Sequence, residues 1–169
     1  MKKSFVFGAL FLCLALALFF KVAYPYGAAK EGPCAFCTEK VLSSQLLFEG
    51  EEVLALTTHK PAREGHILII PKRHVERFED LTSSEIAEMG EMVKKVNRAV
   101  QKTFHTTGYL LIQKNGAEAG QSVFHVHFHY LPAEKNQNQL ALAFKFLFSP
   151  WLSPKTAEEM GEEIALLKN

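Results

Sequence analysis

With 169 residues, net charge +1, 48% hydrophobic and 22% charged residues, the chain has the composition of one globular domain plus an apolar extension. Basic and acidic residues nearly balance, 19 against 18, and no basic patch stands out, which argues against a nucleic-acid-binding surface. No internal repeat or second domain is evident.

Lys2 and Lys3 precede an uncharged run over 4–20, mostly Leu, Phe and Ala, which Lys21 ends. A short basic start followed by an apolar core reads as a signal peptide or an N-terminal membrane anchor occupying residues 1–29. The run is near the lower limit of about 17–25 residues for a spanning helix, and Gly27-Ala28-Ala29 offers a small-residue cleavage site. Leu12 before Cys13 lacks the small residue that lipidation of that cysteine requires. The positive-inside rule keeps the two lysines cytoplasmic and sets the domain outside, anchored or exported. A cytoplasm-facing anchored domain is the fallback, and a buried N-terminal helix is the bland alternative.

Cys34-Ala35-Phe36-Cys37 follows Gly32-Pro33. Thiols at this spacing can ligate zinc, form a redox pair or close a disulfide, and an extracytoplasmic location favours the last. A zinc site needs two more ligands, for which the chain offers His74 and His125.

Residues 51–56 read as a strand, 57–64 with Pro61 as a loop, and 65–71 as a second strand with His66 at its start. Thr82-Ser83-Ser84-Glu85 opens a helix running to about Phe104, with Ile86, Met89, Met92, Val93, Val96, Val100 and Phe104 forming a core stripe. His59 and His105 have no motif around them and read as surface. Residues 107–113 form another strand. The turn over 114–120 carries Lys114, Asn115, Gly116 and Gly120; its backbone amides can hold phosphate oxygens, with the Ser122 hydroxyl beside them.

Residues 121–132 alternate histidine with β-branched or aromatic residues, a strand pattern. On a strand His125, His127 and His129 share one face, about 7 Å apart, while Val126, Phe128 and Tyr130 line the other. Near pH 7 a neutral imidazole is a good nucleophile and a protonated one a good acid, so neighbouring histidines can divide those roles. After a polar loop over 133–139, the segment 140–151 with Phe144, Phe146, Phe148 and Trp151 is suited to cover the core, a dimer partner or a membrane surface. Ser153-Pro154 then precedes a short helix over 155–167.

Gly120-Gln121-Ser122-Val123-Phe124-His125-Val126-His127-Phe128-His129 resembles the signature of the histidine triad (HIT) family. The resemblance covers roughly 34–132 and includes the Gly65-His66 strand and the Pro71-Lys72-Arg73-His74 segment after it. It implies an α+β fold: an antiparallel sheet with one long helix and a C-terminal helix, usually paired into a homodimer. The HIT domain then occupies 30–135, with 136–169 packing on it.

By this resemblance the protein is a nucleotide hydrolase or transferase acting at the α-phosphorus, on a phosphoramidate, a dinucleoside polyphosphate or a similar compound. His127 attacks and becomes nucleotidylated, His129 contacts the phosphate or leaving group with help from Ser122, and His66 and His125 orient the pair. Gln121, Ser122, Lys114, Asn115 and Thr58 fall at substrate-binding positions. Cys34, Cys37, His74 and His125 resemble a structural zinc set, and no metal takes part in the chemistry. Two positions depart from the pattern. Thr58 replaces the Asp or Asn found eight residues before the strand histidine, and Lys114 replaces the Asn or Gln eleven residues before His125. Two other readings stay open: a membrane-tethered nucleotide-binding or sensing module with little catalysis, and a metal-binding ridge of His125, His127 and His129.

Overall fold

The computed structural model describes residues 32–135, 137–148 and 153–169. The N-terminal apolar run and Trp151 lie outside the described residues.

A 3-10 turn, Ala35–Cys37, leads into helix α1, Glu39–Gln45. Five strands follow: β1 Leu46–Glu49, β2 Val53–Thr57, β3 Ile67–Pro71, β4 Gly108–Gln113 and β5 Phe128–Ala133. Helix α2, Ser83–Phe104, lies between β3 and β4; α3, Gln139–Phe148, and α4, Ala157–Lys168, follow β5. All strand pairs are antiparallel, in the order β1-β2-β3-β5-β4. This is the expected α+β architecture.

The two central strands, β2 and β3, are buried along their whole length, so they read as apolar runs rather than alternating patterns. Strand alternation sends Val53, Ala55, Ile67 and Ile69 to one face, where α2 lays Met89, Met92, Val93, Val96 and Val100 against them. Leu54, Leu56, Leu68 and Ile70 point the other way, under Phe36, Val41, Leu42 and Leu46. The cysteine turn and α1 thus roof the second face. Helix α2 starts where the sequence places it: Thr82 accepts from Glu85 N–H and the Glu85 carboxylate accepts from Thr82 N–H. Ile86 is 41% exposed, one turn outside the stripe assigned to it, because the buried first-turn position is taken by Glu85, which holds Arg73 at 2.8 Å. Glu88 reaches back to accept from Glu51 and Glu52 N–H and closes the β1–β2 turn.

The largest departure concerns the histidine run. Strand β5 begins only at Phe128; residues 121–127 are irregular. Here Val126 N–H donates to Val75 O and His125 N–H to Val123 O, so the chain is fastened to the segment after β3 instead of extending the ladder. His125, His127 and His129 therefore do not form one exposed strand face. Residues 39–49, which carried no assignment from sequence, form α1 and β1. The aromatic segment after β5 begins with α3.

Candidate active site

In the β3–β5 register Leu68 faces His129, which puts His129 on the second face of the sheet, away from α2. His66 stands immediately before β3, buried. Its Nδ1 accepts from Ala62 N–H at 3.1 Å. The proton of the neutral ring is therefore on Nε2, which donates to His129 Nδ1 at 3.0 Å. His129 in turn keeps its own proton on Nε2.

His127 Nδ1 lies 2.7 Å from the carbonyl oxygen of His125. A carbonyl can only accept, so Nδ1 carries the proton and Nε2 carries an uncommitted lone pair. The His127 and His129 rings meet edge to face with centroids 4.8 Å apart. Burial pushes His127 down to about 4 and His66 to about 3, and lowers His129 further, with each ring's charged form also opposed by its neighbours. The three rings are neutral at pH 7. The arrangement sets a desolvated imidazole with a free lone pair beside an N–H donor whose orientation a third ring fixes.

His125 uses the opposite tautomer. Its Nε2–H donates to Pro71 O at 2.9 Å, which leaves the Nδ1 lone pair facing the Sγ atoms of Cys34 and Cys37, both at 3.5 Å. His74 Nδ1 is 3.6 Å from Cys37 Sγ, and the Glu76 carboxylate stands 3.8 Å from His74 Nε2. Both cysteines are free thiols. All four donor atoms lie within 4.8 Å of one another. With Zn–S of about 2.3 Å and Zn–N of about 2.0–2.1 Å, tetrahedral geometry sets sulfur and nitrogen about 3.6 Å apart. The observed separations fit that edge, and the carbonyl behind His125 is the outer-sphere partner such a ligand needs.

The remaining sequence candidates have the following places. Gln121 is buried, its Oε1 accepting from Gly116 N–H at 2.7 Å and its Nε2 donating to Glu76 O at 2.9 Å. Asn115 accepts from Phe78 N–H and donates to Glu79. Both amides brace loops. Ser122 is exposed and lines a cleft of about 720 Å³ with Gly32, Cys34, Cys37, His74 and Phe124. Thr58 is buried after β2 with its hydroxyl accepting from Lys60 N–H.

In the turn over 114–120, expected to hold phosphate oxygens, several amides are already engaged. The amides of Gly116, Ala119, Gly120 and Gln121 all donate within the turn or to Gln121, which lets Gly116 and Gly120 adopt positive φ in a tight loop. Lys114, by contrast, reaches the histidines. So does Phe146 of α3, whose ring lies 4.9 Å from His129 and 6.0 Å from His66. The sequence marks Phe146 only as one of several aromatic residues suited to cover the core, a dimer partner or a membrane surface; nothing local ties it to the histidines.

A buried imidazole trio next to a two-sulfur, two-imidazole cluster has the chemistry for nucleophilic transfer through a histidine. Residues 39–136 match the HIT domain, and the chain belongs to that family. It is 32% identical over 136 residues to adenosine 5'-monophosphoramidase of Schizosaccharomyces pombe, covering 78% of this chain and 96% of that one. It is 31% identical over 132 residues to bis(5'-adenosyl)-triphosphatase of Dictyostelium discoideum, covering 76% and 86%. Among solved structures, a Zn-bound histidine triad family protein from Mycobacterium smegmatis superposes with TM-score 0.61 at 27% identity, over 80% of this chain and 93% of the other. Two further curated relatives are longer, and the chain spans 33% and 52% of them.

Proposed function

We propose that this protein is a nucleotide hydrolase or transferase that works at the α-phosphorus through a nucleotidyl intermediate on His127. The observation that carries the reading is the His127 tautomer: Nδ1–H is spent on the His125 carbonyl, and Nε2 is left as a buried, unprotonated nucleophile. Relatives named as a triphosphatase and a phosphoramidase support the substrate class. Nε2 of His127 bonds to the α-phosphorus as the bond to the leaving group breaks, the electron pair departing with that group. The positive charge formed on the ring is stabilised by the His125 carbonyl, while His129 Nε2–H donates to the phosphoryl group under the aim of His66. Water, or another acceptor, then displaces His127.

Cys34, Cys37, His74 and His125 would hold zinc, which supplies a structural tie among the cysteine turn, the segment after β3 and the histidine loop. A second copy of the chain is the partner suggested by β4. It is the sheet edge beyond β5, and Tyr109, Leu110 and Leu111 are 42%, 37% and 44% exposed. The apolar run over 4–20 would tether or export the domain, with the domain outside the cytoplasm; among the described residues no helix is long and apolar enough to cross a membrane. Alkaline carbonate extraction that released the full chain from membranes would overturn the tether.

The deciding experiment incubates the full chain with diadenosine triphosphate and with adenosine phosphoramidate, followed by acid quench and detection of protein-bound nucleotide. Expected are turnover and a stoichiometric phosphorus–nitrogen adduct, both absent in His127→Ala. Full turnover by His127→Ala would overturn the assignment.

A further inference from the structure

The loop between β2 and β3 spans 58–66, and its last residue is His66, whose Nε2–H reaches His129. Helix α4 and the residue before its N-cap hold that loop at both ends. At the start, His59 O accepts from Lys155 N–H at 2.7 Å. At the end, Gly65 N–H donates to the Glu163 carboxylate at 2.8 Å. The two ties are joined to each other, because Lys155 Nζ donates to the second Glu163 oxygen at 3.1 Å.

A carboxylate is a costly choice at position 163. Met160, Glu163 and Leu167 make up the buried face of α4, and Leu167 enters the core that α2 builds. A leucine at 163 would continue that stripe, whereas a carboxylate only 5% exposed costs free energy that charge and hydrogen bonds must offset. Apolar residues in place of a buried ion pair are often as stable or more so, so pairing with Lys155 does not by itself account for the carboxylate. What Glu163 does that a leucine cannot is accept from the amide one residue before His66.

That peptide is tightly placed. Gly65 has φ +74°, and a Cβ there would come within 3.1 Å of Pro132 and 3.3 Å of the Phe104 ring. Inside the turn, His66 N–H donates to Arg63 O and Ala62 N–H to His66 Nδ1. These bonds fix the imidazole to the turn, and Glu163 fixes the turn's last peptide to α4.

We propose that Glu163, locked by Lys155, is a positioning residue: it holds the 58–66 loop where His66 Nε2–H meets His129 Nδ1. It thereby aims the His129 N–H that the proposed mechanism directs at the phosphoryl group, and the inference rests on that reading of the site. Glu163 acts through the Gly65 peptide and the His66 ring, without touching the reacting atoms.

The test compares the full chain with Glu163→Gln and Glu163→Leu, each labelled with nitrogen-15 at histidine. The glutamine side-chain oxygen can still accept from Gly65 N–H, so Glu163→Gln should keep kcat for diadenosine triphosphate within about threefold. Glu163→Leu should lose about 10–100-fold in kcat with KM within about threefold, the cost of misaiming a positioned group. In the nitrogen-15 spectra the native chain and Glu163→Gln should show His66 protonated at Nε2 and bonded to His129 Nδ1, and Glu163→Leu should show that bond lost. Native kcat in Glu163→Leu, or a loss of kcat with the His66–His129 bond intact, overturns the proposal. So does a Glu163→Gln protein as impaired as Glu163→Leu. One measurement needs no variant to fold: in the native chain Gly65 N–H should exchange at least about 100-fold more slowly than an exposed amide, and free exchange overturns the proposal. Turnover absent from the native chain, or surviving in His127→Ala, would instead bring down the reading of the site and leave the nitrogen-15 spectra to decide the role of Glu163.

Discussion

His125 and His127 are two residues apart and do opposite things. Each has one ring nitrogen tied to a backbone carbonyl, but the carbonyls take different nitrogens: Pro71 O takes Nε2 of His125, and His125 O takes Nδ1 of His127. The free lone pair of His125 therefore faces two thiols and the imidazole of His74. The free lone pair of His127 belongs to a pocket shared with His129, His66 and Lys114. Identical side chains in one short motif are thereby fitted to different tasks, on the proposed reading a metal ligand and a nucleophile, because the backbone chooses their tautomers. The irregular path of 121–127 is what makes both choices available, since a regular strand would aim the two rings alike.

The sharpest way to break this division is to remove one ring at a time. His127→Ala should cost at least about 10³-fold in turnover, as loss of a covalent nucleophile does, while metal content stays at that of the native protein. Loss of metal alongside activity, measured by elemental analysis of the same preparation, would mean the two clusters are one. Stripping the metal should act the other way round. Prolonged chelation, or Cys34→Ser, should lower stability by about 3 kcal/mol, roughly 10 °C in Tm, by releasing the cysteine turn from the histidine loop. A chelated protein with an unaltered melting curve would rule out the structural role for zinc.

Between these extremes lies Gln121, which joins the two clusters from outside both. It ties Gly116, in the loop after Lys114, to the Glu76 carbonyl, two residues past His74. Gln121→Leu leaves a buried amide and a carbonyl unpaired, and should cost about 2–3 kcal/mol of stability. Metal affinity and turnover should fall together, because both rest on the same loop. Calorimetry that found the variant as stable as the native chain would assign Gln121 to the substrate instead.

How far the sequence carried this picture depended on whether the signal was local. The Thr82–Glu85 box and the Met89-to-Val100 stripe specify α2 within a few turns of chain, and the structure repeats them. The four-donor cluster was legible through the family resemblance, which pairs the two thiols with His74 and His125, and the structure brings those four donors together. The alternation over 125–130 was misleading as a strand: its apolar members Val126 and Tyr130 do reach the core, but through a bend fastened to Val75. Gln121 and Asn115 have the chemistry of ligands and in the structure also brace loops, a role that only their partners on 76–79 disclose. Phe146 and the burial of Lys114 arise from α3 folding over β5, a contact that no window of sequence contains.

The smallest expected effect is a near absence of one, and it tests the buried half of the comparison. A free imidazole with a pKa near 6.5 loses roughly tenfold of its neutral form between pH 7.5 and 5.5. His127 is held down to about 4 by burial, so nearly all of it remains neutral at pH 5.5. The profile of kcat/KM, which reports the free enzyme, should therefore change by less than about twofold over that range. Stability should not be flat over the same interval. His66 and His127 bind protons near pH 6.5 when unfolded but only near 3 and 4 when folded. The stability present above pH 6.5 is thus lost as pH falls toward 4, at about 1.4 kcal/mol per pH unit for each ring. A kcat/KM limb near pH 6.5 with unchanged stability would mean that water reaches His127 in the free protein, and that the Phe36 ring, 5.3 Å from that of His127, does not shield it.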